Sequence, residues 1–95
     1  MPEMHFRVRW PDGSPQRCYS PSLIVEDYLQ PGETYTLDDF VERSRRALEI
    51  ASERVRERYG FACTSAAAQI AAIEQAAESF GTQPAPLVRV EAFER

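Results

Sequence analysis

The stretch that decides the fold is residues 4–20, MHFRVRWPDGSPQRCYS. Its first seven residues alternate between apolar and polar side chains, which is the pattern of a β-strand with one buried face. Proline, aspartate, glycine and serine then crowd into residues 11–15, where they favour a tight reversal. Residues 16–20 return as a second strand. The stretch therefore predicts a β-hairpin.

A long helix is predicted after residue 36. Thr36 and Asp39 resemble a capping box, with aspartate in place of the usual glutamate or glutamine. Apolar residues then recur at spacings of three and four as far as Tyr59, so one face of the helix is apolar. Gly60 fits the left-handed position that ends many helices, and Phe61 is expected to pack back against the helix.

A second helix is expected to begin near Thr64 or Ser65 and to end at Phe80 and Gly81. Its apolar stripe also follows spacings of three and four. Only four or five residues separate the two helices, so they are predicted to form an antiparallel hairpin.

The segment between the β-hairpin and the long helix is ambiguous. Ser20 can cap a helix that has Pro21 at its first position. Residues 22–29 then form either two helical turns or an extended segment, and a Pro-Gly pair at residues 31–32 ends it either way.

Residues 87–93 are predicted to form the last strand, with Val88, Val90 and Ala92 on the core side. The fold class is α+β: a small antiparallel sheet, made of the hairpin and the C-terminal strand, packs against the two-helix hairpin. The element order is β-β-(short α)-α-α-β. At 95 residues and 10.8 kDa, residues 1–95 are predicted to be one domain.

One sheet face is predicted to be rich in arginine. If Met4, Phe6, Val8 and Trp10 pack on the helices, the other face carries the remaining side chains of these strands. We call it the arginine face; it consists of His5, Arg7, Arg9, Arg17, Tyr19, Arg89 and Glu91. Arginine matches the oxygens of carboxylates and phosphates, so this face, with Trp10 nearby, is the candidate site for an anion or an acidic partner surface. A solvated strand face that discourages aggregation is the structural alternative.

Absent residue types exclude several functions. All eleven basic residues are arginine, which excludes Schiff-base catalysis and a phosphate-loop lysine. The four glycines are widely separated, so no dinucleotide-binding motif is present and no cofactor is expected. The single histidine excludes a two-histidine metal motif, and no metal site is expected.

Charge and hydropathy suggest the surroundings of the protein. The net charge of −4 and a second helix without basic residues argue against a nucleic-acid partner. No apolar run approaches the roughly 20 residues that span a membrane, and no export signal is evident, so we expect a cytoplasmic protein without membrane contact. The two cysteines are then expected to be reduced thiols.

These two cysteines are the candidate reactive thiols. A nucleophilic cysteine needs a nearby base or a helix N-terminus to lower its pKa. His5 lies on the opposite strand face from the predicted position of Cys18, and Cys63 precedes a helix start. Both cysteines are also explained as small buried hydrophobic residues. A small enzyme, with Cys18 or Cys63, His5 and a neighbour's arginines between subunits, is therefore the alternative function.

Self-association is also expected. Ile50 lies off the apolar stripe of the long helix, as Ala47 does to a lesser degree. A small domain that exposes apolar residues on two sides of one helix favours a homo-oligomer, most simply a two-fold dimer.

Four motifs taken together resemble a known family. They are RxRWPDG at residues 7–13, CYSPS at 18–22, ASERV at 51–55 and YGFxC at 59–63. This combination is similar to a family of small bacterial nitrogen-starvation-response proteins encoded in nitrilase-associated gene clusters. The resemblance covers nearly the whole chain. It implies no catalytic residues, and it implies neighbouring genes for a nitrilase, a flavoprotein, a radical-type enzyme and an acetyltransferase-like protein.

Our leading hypothesis is a non-catalytic accessory or regulatory protein of a nitrogen-scavenging pathway. It would bind a cluster-encoded enzyme or a small anionic metabolite through the arginine face. A scaffold without any ligand is a further alternative.

Overall fold

The computed structural model describes residues 2–95, which form a four-stranded antiparallel sheet and two long helices. The strands and helices, in chain order, are β1 (Met4–Arg9), β2 (Pro15–Ser20), a 3₁₀ helix (Leu23–Asp27), β3 (Thr34–Thr36), α1 (Leu37–Tyr59), α2 (Thr64–Glu78) and β4 (Leu87–Glu94). The strand order is β2-β1-β4-β3, so β2 and β3 are the edges. The predicted α+β class and element order are confirmed, with β3 as an addition.

The hairpin closes as its turn residues require. The backbone N–H of Gly13 donates to the Trp10 carbonyl at 2.8 Å, and the Trp10 N–H donates to the Ser14 carbonyl at 2.9 Å. Gly13 has φ +87°, a left-handed conformation that favours glycine. The Asp12 carboxylate accepts from both the N–H and the hydroxyl of Ser14, at 2.9 and 2.6 Å. These bonds fix the register in which Phe6 lies opposite Cys18.

A β-bulge interrupts β4 beside β1. Val8 pairs with Val90 while Arg7 pairs with Ala92, so Glu91 is the extra residue. Beyond the bulge the faces exchange: Phe93 lies opposite the buried Phe6 and packs against the core. The prediction that Ala92 faces the core is wrong, because strict alternation does not continue through the extra residue.

The segment before α1 is resolved into two short elements. Ser22, and not Ser20, caps the 3₁₀ helix, because its hydroxyl accepts from the Ile24 N–H at 3.3 Å. The Ser20 hydroxyl instead donates to the Ser22 carbonyl at 2.7 Å and is buried. The strand β3 then pairs Tyr35 with Val88, a pairing too short to leave an alternating pattern in the sequence.

The ends of α1 follow the prediction. The Thr36 hydroxyl accepts from the Asp39 N–H at 3.3 Å, and Gly60 ends the helix with φ +84°. The side chain of Phe61 is 67% exposed, so the prediction that it packs back against the helix is wrong. It lies beside Tyr59, which is also exposed, with ring centroids 6.5 Å apart.

The helices form an antiparallel hairpin over one sheet face. The start of α2 meets the far end of α1, where the Cys63 N–H donates to the Ser52 hydroxyl at 3.3 Å. Ala47 is fully buried in the core, so placing it off the apolar stripe was wrong; the stripe is wide enough to include it. Ile50 is half-buried. The dimer drawn from these two residues stays a prediction.

The core lies between the sheet and this hairpin. Its apolar residues come from the sheet, the 3₁₀ helix, both long helices and the loops beside them. They are Met4, Phe6, Val8, Trp10, Cys18, Val25, Leu29, Leu37, Phe40, Ala47, Leu48, Ile73, Phe80, Val88 and Val90. No helix within residues 2–95 has the length and apolar character needed to cross a membrane.

Candidate functional site

The arginine face lies on the side of the sheet away from the helices. Its arginine side chains are exposed, with Arg7, Arg9 and Arg17 retaining 52%, 45% and 59% of their accessible surface. The register opposes its residues across the strands as His5 with Tyr19, Arg7 with Arg17, and Arg9 with Arg89. Two of these three pairs therefore place like charges directly opposite each other, which destabilises a sheet unless something compensates.

Glu91 offsets the like charges of the Arg9–Arg89 pair. The guanidinium of Arg9 donates to both carboxylate oxygens of Glu91, with N···O distances of 3.0 and 3.3 Å, and its remaining terminal nitrogen donates to the Gly13 carbonyl at 2.6 Å. The hydrogen bond from Arg9, together with its charge, holds the pKa of Glu91 below its ordinary value. Each of the three guanidinium nitrogens of Arg9 thus makes one hydrogen bond within the chain.

Glu94 compensates the other pair and was not predicted. One of its oxygens accepts from the Nε of Arg17 at 2.6 Å, and the other lies 3.9 Å from Arg7. The hydrogen bond from Arg17, followed by the charges of Arg17 and Arg7, lowers the pKa of Glu94. The bulge at Glu91 brings this carboxylate onto the arginine face, whereas strict alternation would point it into the core.

Arg89 is left over. It lies on β4 between Arg9 of β1 and Thr34 of β3, and no carboxylate of residues 2–95 forms an ion pair with it. Glu91 and Glu94 thus form the ion pairs of this face, and Glu3, which accepts from Tyr19, adds a third carboxylate beside the four guanidinium groups. The arginine face carries an excess of positive charge that the chain does not neutralise.

One corner of the face has a separate cluster. The rings of His5 and Tyr19 meet edge to face, with centroids 5.6 Å apart. The Tyr19 hydroxyl donates to the Glu3 carboxylate at 3.0 Å. Burial, followed by this hydrogen bond, raises the pKa of Tyr19 to about 12, so the phenol stays protonated at neutral pH.

Trp10 is not part of the exposed surface. It is 4% exposed, and its ring lies 5.5 Å from that of Phe40 and 5.9 Å from that of Phe80, measured between centroids. Its indole N–H donates to the Gln16 side chain at 2.8 Å. The structure therefore places Trp10 under the sheet, on the opposite side from the arginines, because β1 alternates.

The two thiols lie in different surroundings. Cys18 is fully buried opposite Phe6, and this burial raises the pKa of its thiol to about 12. It has the character of a packing residue and not of a nucleophile. Cys63 is half-buried at the start of α2, where its side chain makes no capping hydrogen bond.

The edges of the sheet offer little backbone for strand addition. Pro15 has no N–H, and the N–H of Tyr19, which points away from β1, donates to the Gln69 side chain of α2 at 2.9 Å. On this side Arg17 therefore supplies the free N–H of β2, and the other edge is the three-residue β3. Neither edge of the described sheet therefore presents a long row of free backbone N–H groups.

The shape of the face is shallow. A depression of about 290 Å³ lies between Arg7, Pro15, Gln16, Arg17 and Glu94. Two larger clefts, of about 340 and 360 Å³, lie elsewhere, beside the start of α1 and the end of α2. Small-molecule sites are usually largely apolar, whereas the depression on the arginine face is lined mainly by charged and polar side chains.

Comparison with known proteins gives the family of the chain. A family model described as nitrogen starvation-induced protein NitG matches residues 5–93. The chain belongs to the NitG family. The match includes every strand and helix of this NitG-family fold, from β1 to most of β4, and it agrees with the nitrogen-starvation part of the resemblance. No curated protein and no solved structure matches the chain.

The described residues also contain no group of three or more histidine, cysteine or acidic side chains placed to hold a metal ion.

Proposed function

We propose that this NitG-family protein is a non-catalytic accessory protein of the nitrogen-starvation response, and that its arginine face binds an acidic surface of a protein partner. Membership of the family supports the role in nitrogen starvation. The binding proposal rests on the unbalanced charge of the face. Arg89 forms no ion pair within residues 2–95, and the ion pair between Arg7 and Glu94 is long, at 3.9 Å.

The shape and edges support a protein partner. The arginine side chains of the face are exposed, and the free edges of the sheet are short or partly blocked. Exposed guanidinium groups steer an acidic partner and form bidentate bonds with its carboxylates. From the family resemblance, we expect the partner to be an enzyme encoded in a nitrilase-associated cluster and the complex to act in the cytoplasm.

Charge reversal tests this function. In Arg7→Glu/Arg89→Glu, the changed residues have the weakest internal ion pairs of the face, so the fold is expected to survive. The matched control is Arg56→Glu/Arg58→Glu, which makes the same change of charge at two exposed positions in the last turn of α1.

The measurement is quantitative cross-linking and affinity purification from nitrogen-starved cells that express each form, with circular dichroism to check folding. We expect one stoichiometric protein to co-purify with the wild type and the α1 control, and its recovery to fall more than tenfold with the face variant. Equal recovery with both variants would show that the arginine face is not the binding surface.

A further inference from the structure

The four arginines of the arginine face form a staggered grid set by strand geometry. Arg7 and Arg9 are alternate residues of β1, so their Cα atoms are roughly 7 Å apart along the strand. Arg17 of β2 lies beside Arg7, and Arg89 of β4 lies beside Arg9, so these two arginines are each about 4.8 Å from β1 but on opposite sides of it. Two rows of paired guanidinium groups therefore follow each other along β1 at the repeat of an extended chain, one row reaching to β2 and the other to β4.

Resting on the function proposed above, we propose that the arginine face binds an extended acidic segment of its partner, with aspartate or glutamate at alternate positions. In an extended chain, alternate side chains point to the same side at a spacing of roughly 7 Å, which matches the step between the two rows. A helix places its neighbouring carboxylates about 5–6 Å apart on a curved surface, which matches the grid less well.

The segment would contact the arginine face through its side chains and not through its backbone. Strand addition at the β2 edge is blocked, because Pro15 lacks an N–H and Gln69 accepts the N–H of Tyr19. Carboxylates that reach the two rows can instead form charge-assisted hydrogen bonds with exposed guanidinium groups.

Glu91 and Glu94 act in this binding as internal competitors. They occupy the guanidinium groups of Arg9 and Arg17 in the free chain, at 3.0 and 2.6 Å. Their own side chains retain 30% and 35% of their accessible surface, so an incoming carboxylate can displace them without opening the core. A single carboxylate gains little binding free energy when it replaces an internal carboxylate. A segment with several carboxylates adds the contributions of both rows.

Arg89 is the first contact in this scheme. It has no carboxylate to give up among residues 2–95, so an acidic group binds it without an exchange. Arg9, with each of its three guanidinium nitrogens donating to Glu91 or Gly13, is expected to bind an incoming carboxylate last. Substitution of Arg89 is therefore expected to weaken binding more than the same substitution of Arg9.

Two isomeric peptides test the extended geometry. Acetyl-TETETET-amide presents three carboxylates on one side when extended, whereas acetyl-TTEEETT-amide, with the same composition and charge, presents at most two. Both are titrated into ¹⁵N-labelled protein at low salt, and the dissociation constants are taken from amide shifts. We expect the alternating peptide to bind about threefold or more tightly, with shifts confined to β1, β2 and β4. Equal affinities would overturn the extended segment.

Glutamine substitutions test the internal competition. Glu91→Gln/Glu94→Gln is expected to bind the alternating peptide about two- to tenfold more tightly than the wild type. Glu26→Gln/Glu49→Gln is the matched control, since these residues also pair with arginines, at 2.6 and 3.2 Å, but lie outside the arginine face. Equal affinities of the two double variants would overturn the competition, because total charge alone would then explain any gain.

The failure of this inference can be separated from that of the proposed function. If neither peptide binds while Arg7→Glu/Arg89→Glu still abolishes capture of the cellular partner, the extended segment is wrong and the arginine face remains the binding surface. If capture is insensitive to that variant, both proposals fail.

Discussion

The β-bulge at Glu91 can be tested through Phe93, which it turns into the core. Phe93 is half-buried and packs opposite the fully buried Phe6. Removal of a fully buried phenylalanine side chain costs about 3–5 kcal/mol, so the half-buried Phe93 is expected to cost about 2 kcal/mol as Phe93→Ala. Leu87→Ala is the control, because Leu87 lies on the same strand with 51% of its surface exposed. Its cost is expected to stay below about 1 kcal/mol.

Urea unfolding followed by Trp10 fluorescence measures these costs. Trp10 is the single tryptophan and is 4% exposed, so its emission reports loss of the core. With a slope of roughly 1–2 kcal/mol per molar urea for a domain of this size, Phe93→Ala should lower the midpoint by about 1–2 M. In a strand without the bulge, Phe93 would point to solvent. A Phe93→Ala variant within about 0.5 kcal/mol of the wild type would therefore refute the bulge, and with it the position of Glu94.

Two further outcomes are expected. In Cys63→Ser, the remaining thiol of Cys18 should react with a disulfide reagent at pH 7.4 about a thousandfold more slowly than a free thiol, because burial raises its pKa to about 12. A reaction rate within tenfold of that of glutathione would favour the enzyme alternative. Arginine contacts lower the pKa of Glu91 and Glu94, so these residues stabilise the fold above pH 4.5 and this part is lost as the pH falls through their lowered values. Stability of Glu91→Gln/Glu94→Gln should accordingly change less between pH 5 and pH 3 than that of the wild type, as measured by urea unfolding at each pH.

The elements with long, regular patterns could be predicted from the sequence. Seven alternating residues gave β1, and stripes with capping residues gave both helices, down to Thr36 and Gly60 at the ends of α1. In these elements the local preference and the burial of one face point to the same structure, so no information from the rest of the chain is needed.

The short elements could not be predicted for a related reason. The three residues of β3 form a strand because β4 lies beside them, and a pairing of Tyr35 with Val88 has no local pattern. The 3₁₀ helix begins at Ser22 because Ser20 is engaged elsewhere, which depends on the fold around it. Phe61 was expected to pack back because the residue after a glycine cap frequently does so, yet 67% of its surface is exposed and its ring lies beside that of Tyr59.

For the candidate site, the composition of the face was predictable and its charge balance was not. Strand alternation alone places Arg7 and Arg17 on one surface, whereas the ion pairs require the register between strands. A signal for Glu94 was present in the sequence: alternation from Val88 onward would bury this carboxylate and expose Phe93, a costly exchange that a bulge avoids. Reading that conflict as a bulge would have predicted the second carboxylate.

The extra residue at Glu91 therefore determines which side chains of β4 lie in the core and which lie on the arginine face. Through it Phe93 fills the space beside Phe6, and Glu94 reaches Arg7 and Arg17 on the opposite side of the sheet. Without the bulge, four arginines would share Glu91 alone beside an exposed phenylalanine, and the core would contain a carboxylate. The packing of β4 and the charge balance of the arginine face are thus coupled, because neither residue can change sides without the other.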